Sequence, residues 1–349
     1  MMRHHQPNSA TVCSENGSNA PGPMFICGRQ RSGNTVTACV FGQADGCLAL
    51  AQEGQFFEHR QLMSRLRNPA ERATKIVDLM NLHRAREIVD CIDKVSESQD
   101  QEIRDQIIHW ACEHPDADAL RVYRHLMQVV LEATKKRFWV QKATSYIFYG
   151  HEILRDMPDA RMLYLVRNPY DICASVKRGR REKEGIWKYI WGAAISWNKG
   201  IRLVERLKEA FPTRVHIMRY EDMVCDPEKT FRKTFEFVGI AFKPRYLQVP
   251  HVHAKDAQNT LGLNRSRLFA YQEILSPSHI AAIDMTVDVN KVAQYYGDLP
   301  HRQSDCTLLT KLTARAALAL APLSYVARKM LDSRHNLSYF VDRTVRRIR

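Results

Sequence analysis

Met24-Phe25-Ile26-Cys27-Gly28-Arg29-Gln30-Arg31-Ser32-Gly33-Asn34-Thr35 is the stretch from which the fold is read. A short apolar run ending in glycine predicts a buried parallel strand that passes into a loop. Gly28 and Gly33 then stand in the G-x-x-x-x-G spacing of a phosphate-binding loop, and a helix is expected from Asn34 to about Ala51. Small residues let the backbone curl around an anion, while successive N–H groups and a helix N-terminus supply donors and partial positive charge. The same residues also describe a glycine-containing turn with incidental cations, so the rest of the chain has to arbitrate.

Two parts of a nucleotide-hydrolysing loop are missing. Those enzymes carry Lys where this chain has Asn34, and an apolar strand ending in Asp that holds magnesium. Here Leu163-Tyr164-Leu165-Val166 ends in Arg167. A cation at that position suits a second phosphate, so a kinase or NTPase is the weaker reading and no metal site is expected.

Outward from the loop, residues 1 to 23 are rich in Ser, Asn, Gly and Pro and read as a flexible arm. From about Arg60 to Lys136 the periodicity is helical and strongly charged, with no Pro or Gly between Ala70 and His114, which predicts a helical insertion. Phe138–Gln141 and Arg161–Val166 read as further strands, each followed by a helical stretch, and Arg214–Arg219 reads as another. Alternation of this kind predicts an α/β fold: a parallel sheet flanked by helices, P-loop-like, binding its ligands at the carboxyl ends of the strands. One domain is expected over 24–297. A break at 298–304 separates it from a basic helical extension to residue 349.

The chain has 349 residues, 52 Lys+Arg against 38 Asp+Glu and a net charge of +14, with 45% hydrophobic and 26% charged residues. That balance excludes collagen-like, coiled-coil and wholly disordered classes. Nine cysteines without C-x-x-C or clustered Cys/His spacing argue against a disulfide scaffold or structural zinc. No run approaches the roughly 20 apolar residues of a membrane span, and the N-terminus lacks the apolar core of a secretory signal. A cytoplasmic, reduced protein is expected. Residues 311–349 hold nine Lys/Arg against Asp332 and Asp342, half of the net charge. Within this tail, Ala314 to Met330 is apolar, carries Arg315, Arg328 and Lys329, and is interrupted by Pro322. It reads as helix packing on the domain or on a second subunit, or as an interfacial contact peripheral to the inner membrane face.

With Gly28-Arg29-Gln30-Arg31-Ser32-Gly33-Asn34-Thr35 at the first loop and Leu165-Val166-Arg167-Asn168-Pro169-Tyr170-Asp171-Ile172-Cys173-Ala174-Ser175-Val176 further on, the chain resembles the sulfotransferases that use 3′-phosphoadenosine 5′-phosphosulfate, PAPS. Lys142 lies at a strand end like the family's Lys-Thr-Pro segment. Arg219-Tyr220-Glu221-Asp222-Met223-Val224, continuing to Asp226-Pro227, looks like its Arg-Tyr-Glu-Asp-Leu-Val box. These blocks cover about residues 24 to 240. The resemblance implies that Arg31, Ser32, Gly33, Asn34 and Thr35 cradle the 5′-phosphosulfate, with Arg31 neutralising charge on the leaving phosphate. It places Arg167 and Ser175 on the 3′-phosphate, Tyr220 on the adenine or in the core, and Arg265 or Arg267 in a basic loop closing over the cofactor.

Transfer to a hydroxyl calls for a base near the attacking oxygen. One branch of the resembling family has His after the Lys-Thr pair, but here the segment is Lys142-Ala143-Thr144-Ser145. Another branch uses Glu at the end of the strand that follows the first helix. Glu53 occupies that place, flanked by Gly54 and aromatic residues that would partly desolvate it. Glu58 and His59 compete with it, and a surface carboxylate is the plainer reading of Glu53. Lys142 either stabilises the transferring group or braces the loop.

Lys177-Arg178-Gly179-Arg180-Arg181-Glu182-Lys183, followed by Trp187 and Trp191, offers cations and aromatic faces to an anionic glycan or sugar ring. A Trp pair at this spacing is more often core, as is Trp197. The expected activity is transfer of a sulfuryl group from PAPS, without a metal, to a hydroxyl of a carbohydrate or glycolipid. No specific nucleic-acid partner is expected. The alternatives are a P-loop nucleotide kinase or NTPase, and a non-enzymatic polyanion-binding module.

Overall fold

A computed structural model describes residues 21–50, 53–82, 95–178, 186–250, 261–297, 299 and 307–332, the last eleven by backbone alone. Five parallel strands, β1 (Met24–Gly28), β2 (Cys47–Leu50), β3 (Phe138–Lys142), β4 (Arg161–Val166) and β5 (Val215–Arg219), form one sheet in the order β2-β3-β1-β4-β5. β1 is central, with Phe25 in register with Gln141 on one side and Met162 on the other. Every residue of β1 is buried, as an apolar run covered on both faces requires.

The first helix stops at Gly42 rather than running to Ala51, and Cys47-Leu48-Ala49-Leu50 is the edge strand β2. Gly46 makes the turn between them at φ +76°, and its carbonyl accepts from the N–H groups of Arg137 and Phe138. The turn is thereby pinned to the start of β3. Periodicity does not separate a buried helix from a buried strand over so short an apolar run.

Between β2 and β3 lie helices Phe56–Ser64, Pro69–Met80, Glu97–Glu113 and Ala119–Ala133. The starts of the last three are chemically marked, by Asn68, by a Ser96/Gln99 capping box and by Asp118. They cover one face of the sheet: Phe57 meets Phe25 edge-on at 5.8 Å and Phe56 stacks on Tyr123 at 4.2 Å. The opposite face is covered by helices Asn34–Gly42, Tyr220–Cys225 and Pro227–Val238, where Phe41 stacks on Phe235 at 4.4 Å.

Helix Ile186–Ala210 buries Trp197, whereas Trp187 and Trp191 are half-buried, Trp187 lying against His279. Residues 179–185 of the basic run lie outside the described residues, as do 1–20 of the expected arm and 333–349 of the tail. Helix Leu308–Asp332 runs through Pro322 and packs on Ile186–Ala210 and Pro277–Asp284. Among the described residues no helix is long and apolar enough to cross a membrane.

Two histidines should make the fold acid-sensitive. Burial, reinforced by Lys208 and Lys233, pushes His216 down from 6.5 to about 4, and burial with Lys177 does the same to His279. The unfolded chain takes up these protons below pH 6.5 while the folded chain does not, so stability is present above pH 6.5 and drains away as pH falls toward 4. A melting series from pH 7 to 4 should show this loss, and His216→Phe should flatten it; an unchanged slope would remove His216 as its source.

Candidate active site

Each strand delivers one part of the site at its carboxyl end. β1 passes into the loop 28–35. Gly28 takes φ +148°, and a Cβ there would come within 2.6 Å of the Leu165 carbonyl oxygen. Gly33, at φ +93°, would bring a Cβ to 2.8 Å from the Tyr220 ring. Both glycines are therefore steric requirements as well as conformational ones. Gly33 is also the N-cap of helix Asn34–Gly42, and no side chain caps that end, so its leading N–H groups are available to an anion. The Ser32 hydroxyl is buried in the same loop without a hydrogen-bond partner. Thr35 is half-buried beside it.

Asn34 differs from a plain cradle residue. Its side-chain amide donates to the carbonyls of Gly28 and Arg29, both at 3.2 Å, so it braces the loop from within and leaves its backbone N–H for a ligand. Arg31 is exposed and left-handed at φ 76°, and its carbonyl accepts from Arg167 Nη1 at 2.8 Å.

Arg167, at the end of β4, ties several segments together. It is 6% exposed. Its Nη2 donates to the Arg267 carbonyl at 3.0 Å, its guanidinium lies 4.0 Å from the centre of the Tyr220 ring, and its own carbonyl accepts from Trp197 Nε1. Its Nε is buried without a partner. Tyr220, at the end of β5, thus sits between Arg167 and Gly33 and is part of the core, with burial raising its phenol. Ser175 is half-buried on helix Pro169–Arg178, and among the described residues no hydrogen bond engages its hydroxyl. Arg265, exposed, donates to the carbonyls of Val224 and Cys225; Arg267 is exposed and joined to Arg167 through its backbone.

On the other side of β1 a second group forms. Glu53, three residues beyond β2, receives Lys142 Nζ at 2.7 Å on Oε1 and the Thr144 hydroxyl at 3.2 Å on Oε2. Ion pairing, more than apolar desolvation, therefore surrounds this carboxylate. Lys142 is paired in register with Ile26 and the Ala143 N–H donates to the Ile26 carbonyl, which sets the group one strand away from the phosphate-type loop. The Glu53 charge also reaches Cys27, whose thiol is pushed up chiefly by burial and then by Glu53. Glu58 and His59 lie on helix Phe56–Ser64, outside this group, with His59 Nδ1 3.1 Å from the Gln55 carbonyl.

Supporting residues that the sequence reading did not assign hold both groups. Gln141 is wholly buried; its Nε2 donates to the Glu53 carbonyl at 2.8 Å and its Oε1 accepts from Tyr123 Oη at 2.8 Å. A Cβ at Gly54 would fall 2.6 Å from that Nε2, and Gly54 and Gln55 both have positive φ, so Glu53 is presented by a tight turn locked to β3. Asp171 accepts from the N–H groups of Phe269 and Tyr271, and Glu221 from that of Asn168. Burial raises both carboxyls. Asp171 stands within the quoted Arg-Asn-Pro-Tyr-Asp run, which was the available signal.

Taken together, the carboxyl edge of the sheet carries a glycine-bounded loop with an uncapped helix N-terminus after β1, a buried cation after β4 and a carboxylate–lysine pair after β2 and on β3. A family model described as Sulfotransferase family matches residues 23–244. No curated protein matches the chain. Similar solved structures include a sulfotransferase domain from the curacin biosynthetic pathway, 18% identical over 86% of this chain and 98% of that one, TM-score 0.44. Others are a sulfotransferase domain from the Synechococcus PCC 7002 olefin synthase, 21% identical over 86% and 95%, TM-score 0.44, and the sulfotransferase STF9 from Mycobacterium avium, 17% identical over 65% and 66%, TM-score 0.40.

Proposed function

The chain belongs to the sulfotransferase family, and on that premise we propose that it moves a sulfuryl group from PAPS to a hydroxyl of a carbohydrate or glycolipid. The observation that carries the reading is the placement of the anion cradle and the Glu53–Lys142 pair on adjoining strand ends. The residues fit the co-substrate: Ser32 has an unengaged buried hydroxyl, the helix at Asn34 has an uncapped N-terminus, and Arg167 is a buried cation with one unpartnered N–H. PAPS, when bound, supplies a sulfuryl group already activated on a phosphate leaving group.

The backbone N–H groups of the loop, with Ser32 and Thr35, would bind the 5′ end, and Arg31 would balance the charge left on the departing phosphate. Arg167 and Ser175 would take the 3′-phosphate, with Arg267 above it. Tyr220 would form the floor between them. Glu53 would accept the acceptor hydroxyl's proton as the new oxygen–sulfur bond forms and the bond to the leaving phosphate breaks. Lys142 and Thr144 would hold that carboxylate in one orientation, and Lys142 would also lie beside the charge in transfer. The carbohydrate assignment rests on resemblance to the branch with a Glu base.

Calorimetry with 3′-phosphoadenosine 5′-phosphate, compared with 5′-AMP and ATP in EDTA and again with magnesium, tests this. Preference for the bisphosphate is expected. No binding, or a preference for ATP that appears only with magnesium, would replace the reading with a kinase or NTPase. Salt-sensitive polyanion binding indifferent to the nucleotide would replace it with a non-enzymatic module.

A further inference from the structure

Helix Leu308–Asp332 meets the domain along one stripe and turns another outward. Ala314 and Ala321 are buried, and Leu318 is half-buried against the core. At about 100° per residue these three fall on one side of the helix. Leu308, Leu309, Leu312 and Leu320 fall on another and are 74%, 73%, 51% and 67% exposed. The exposed Ala316 and Ala319 lie among them, so the outward sector from 308 to 321 is continuously apolar. Lys311 and Arg315, both exposed, line its border with the buried stripe.

A contiguous row of exposed leucines marks a surface that something covers. We propose that this face is a peripheral binding surface for an anionic lipid bilayer, with the leucines entering the headgroup–acyl boundary and Lys311 and Arg315 reaching the headgroup phosphates. Charge selects this occupant. The chain carries +14, half of it in residues 311–349, and the exposed Lys311 and Arg315 flank the apolar row. A second copy would bring like charge against like, whereas an anionic bilayer complements it. The helix is not apolar enough to cross a bilayer, which leaves it lying in the surface plane.

Co-sedimentation of the full chain with phosphatidylcholine vesicles, with and without phosphatidylglycerol, tests the proposal. Binding is expected only with phosphatidylglycerol and should weaken as salt is raised. The double variant Leu309→Asp/Leu312→Asp and the double variant Lys311→Glu/Arg315→Glu should each lower partitioning by about tenfold or more. Both alter exposed side chains, so an unchanged melting temperature shows that the fold is kept. Wild-type protein that stays in solution, binds phosphatidylcholine equally well, or is insensitive to both variants would overturn the proposal. So would a dimer on gel filtration that Leu312→Asp dissociates, because the face would then belong to a second copy.

Discussion

Glu53→Gln should lower turnover by roughly 10²- to 10⁴-fold, the range a positioned general base contributes, with the affinity for 3′-phosphoadenosine 5′-phosphate unchanged. Glutamine keeps the shape of the side chain and an oxygen to receive Lys142 or Thr144, but it cannot take the acceptor's proton. Nucleotide affinity should survive because the contacts of Glu53 are to Lys142, Thr144 and Gln141, not to the loop 28–35. The matching controls are Glu58→Gln and His59→Gln on the neighbouring helix, which should leave turnover within a few-fold of wild type. Steady-state rates for acceptor sulfation together with calorimetry separate the two effects. Full turnover without Glu53 would remove it as the base and leave its pair with Lys142 a brace for the strand ends.

Arg167→Ala should weaken binding of the bisphosphate by roughly 10²-fold or more, the loss that follows truncation of a buried, hydrogen-bonded charge. The structure gives this substitution two separable consequences. Losing Nη1 and Nη2 frees the carbonyls of Arg31 and Arg267 and so loosens both loops. Losing the cation removes attraction for a 3′-phosphate. Titrating the variant with the bisphosphate and with 5′-AMP distinguishes them: a larger loss for the bisphosphate assigns Arg167 to the 3′-phosphate, and equal losses assign it to loop bracing alone. Arg167→Lys should recover part of the charge effect without the two-pronged bracing, since an ammonium has no planar fork. If Arg167→Ala bound the bisphosphate as tightly as wild type, the cofactor site would have to lie elsewhere.

Both variants depend on residues whose importance has different origins. The apolar run at Met24–Cys27, the glycine spacing that follows and the strand ends at Lys142, Arg167 and Tyr220 are local signals, because a few consecutive residues settle whether the backbone is a buried strand, a left-handed turn or a helix start. The parallel α/β architecture, the loop and the family resemblance were therefore legible in the sequence alone. The edge strand β2 was not, since an apolar tetrapeptide is compatible with helix or strand until Gly46 is seen bonded to residues beside β3.

Tertiary structure alone decided what surrounds the chemistry. Gln141 finds Tyr123 and Glu53, Asp171 finds residues 269 and 271, and Arg167 finds the carbonyls of Arg31 and Arg267. Each is a polar side chain, buried or nearly so, whose partner is distant in sequence. Nothing within a local window chooses that partner, because in water the same group is satisfied by solvent. Only removal from water makes an unpaired donor or acceptor costly enough to select one neighbour. The turn that presents Glu53 and the hub at Arg167 are products of that selection.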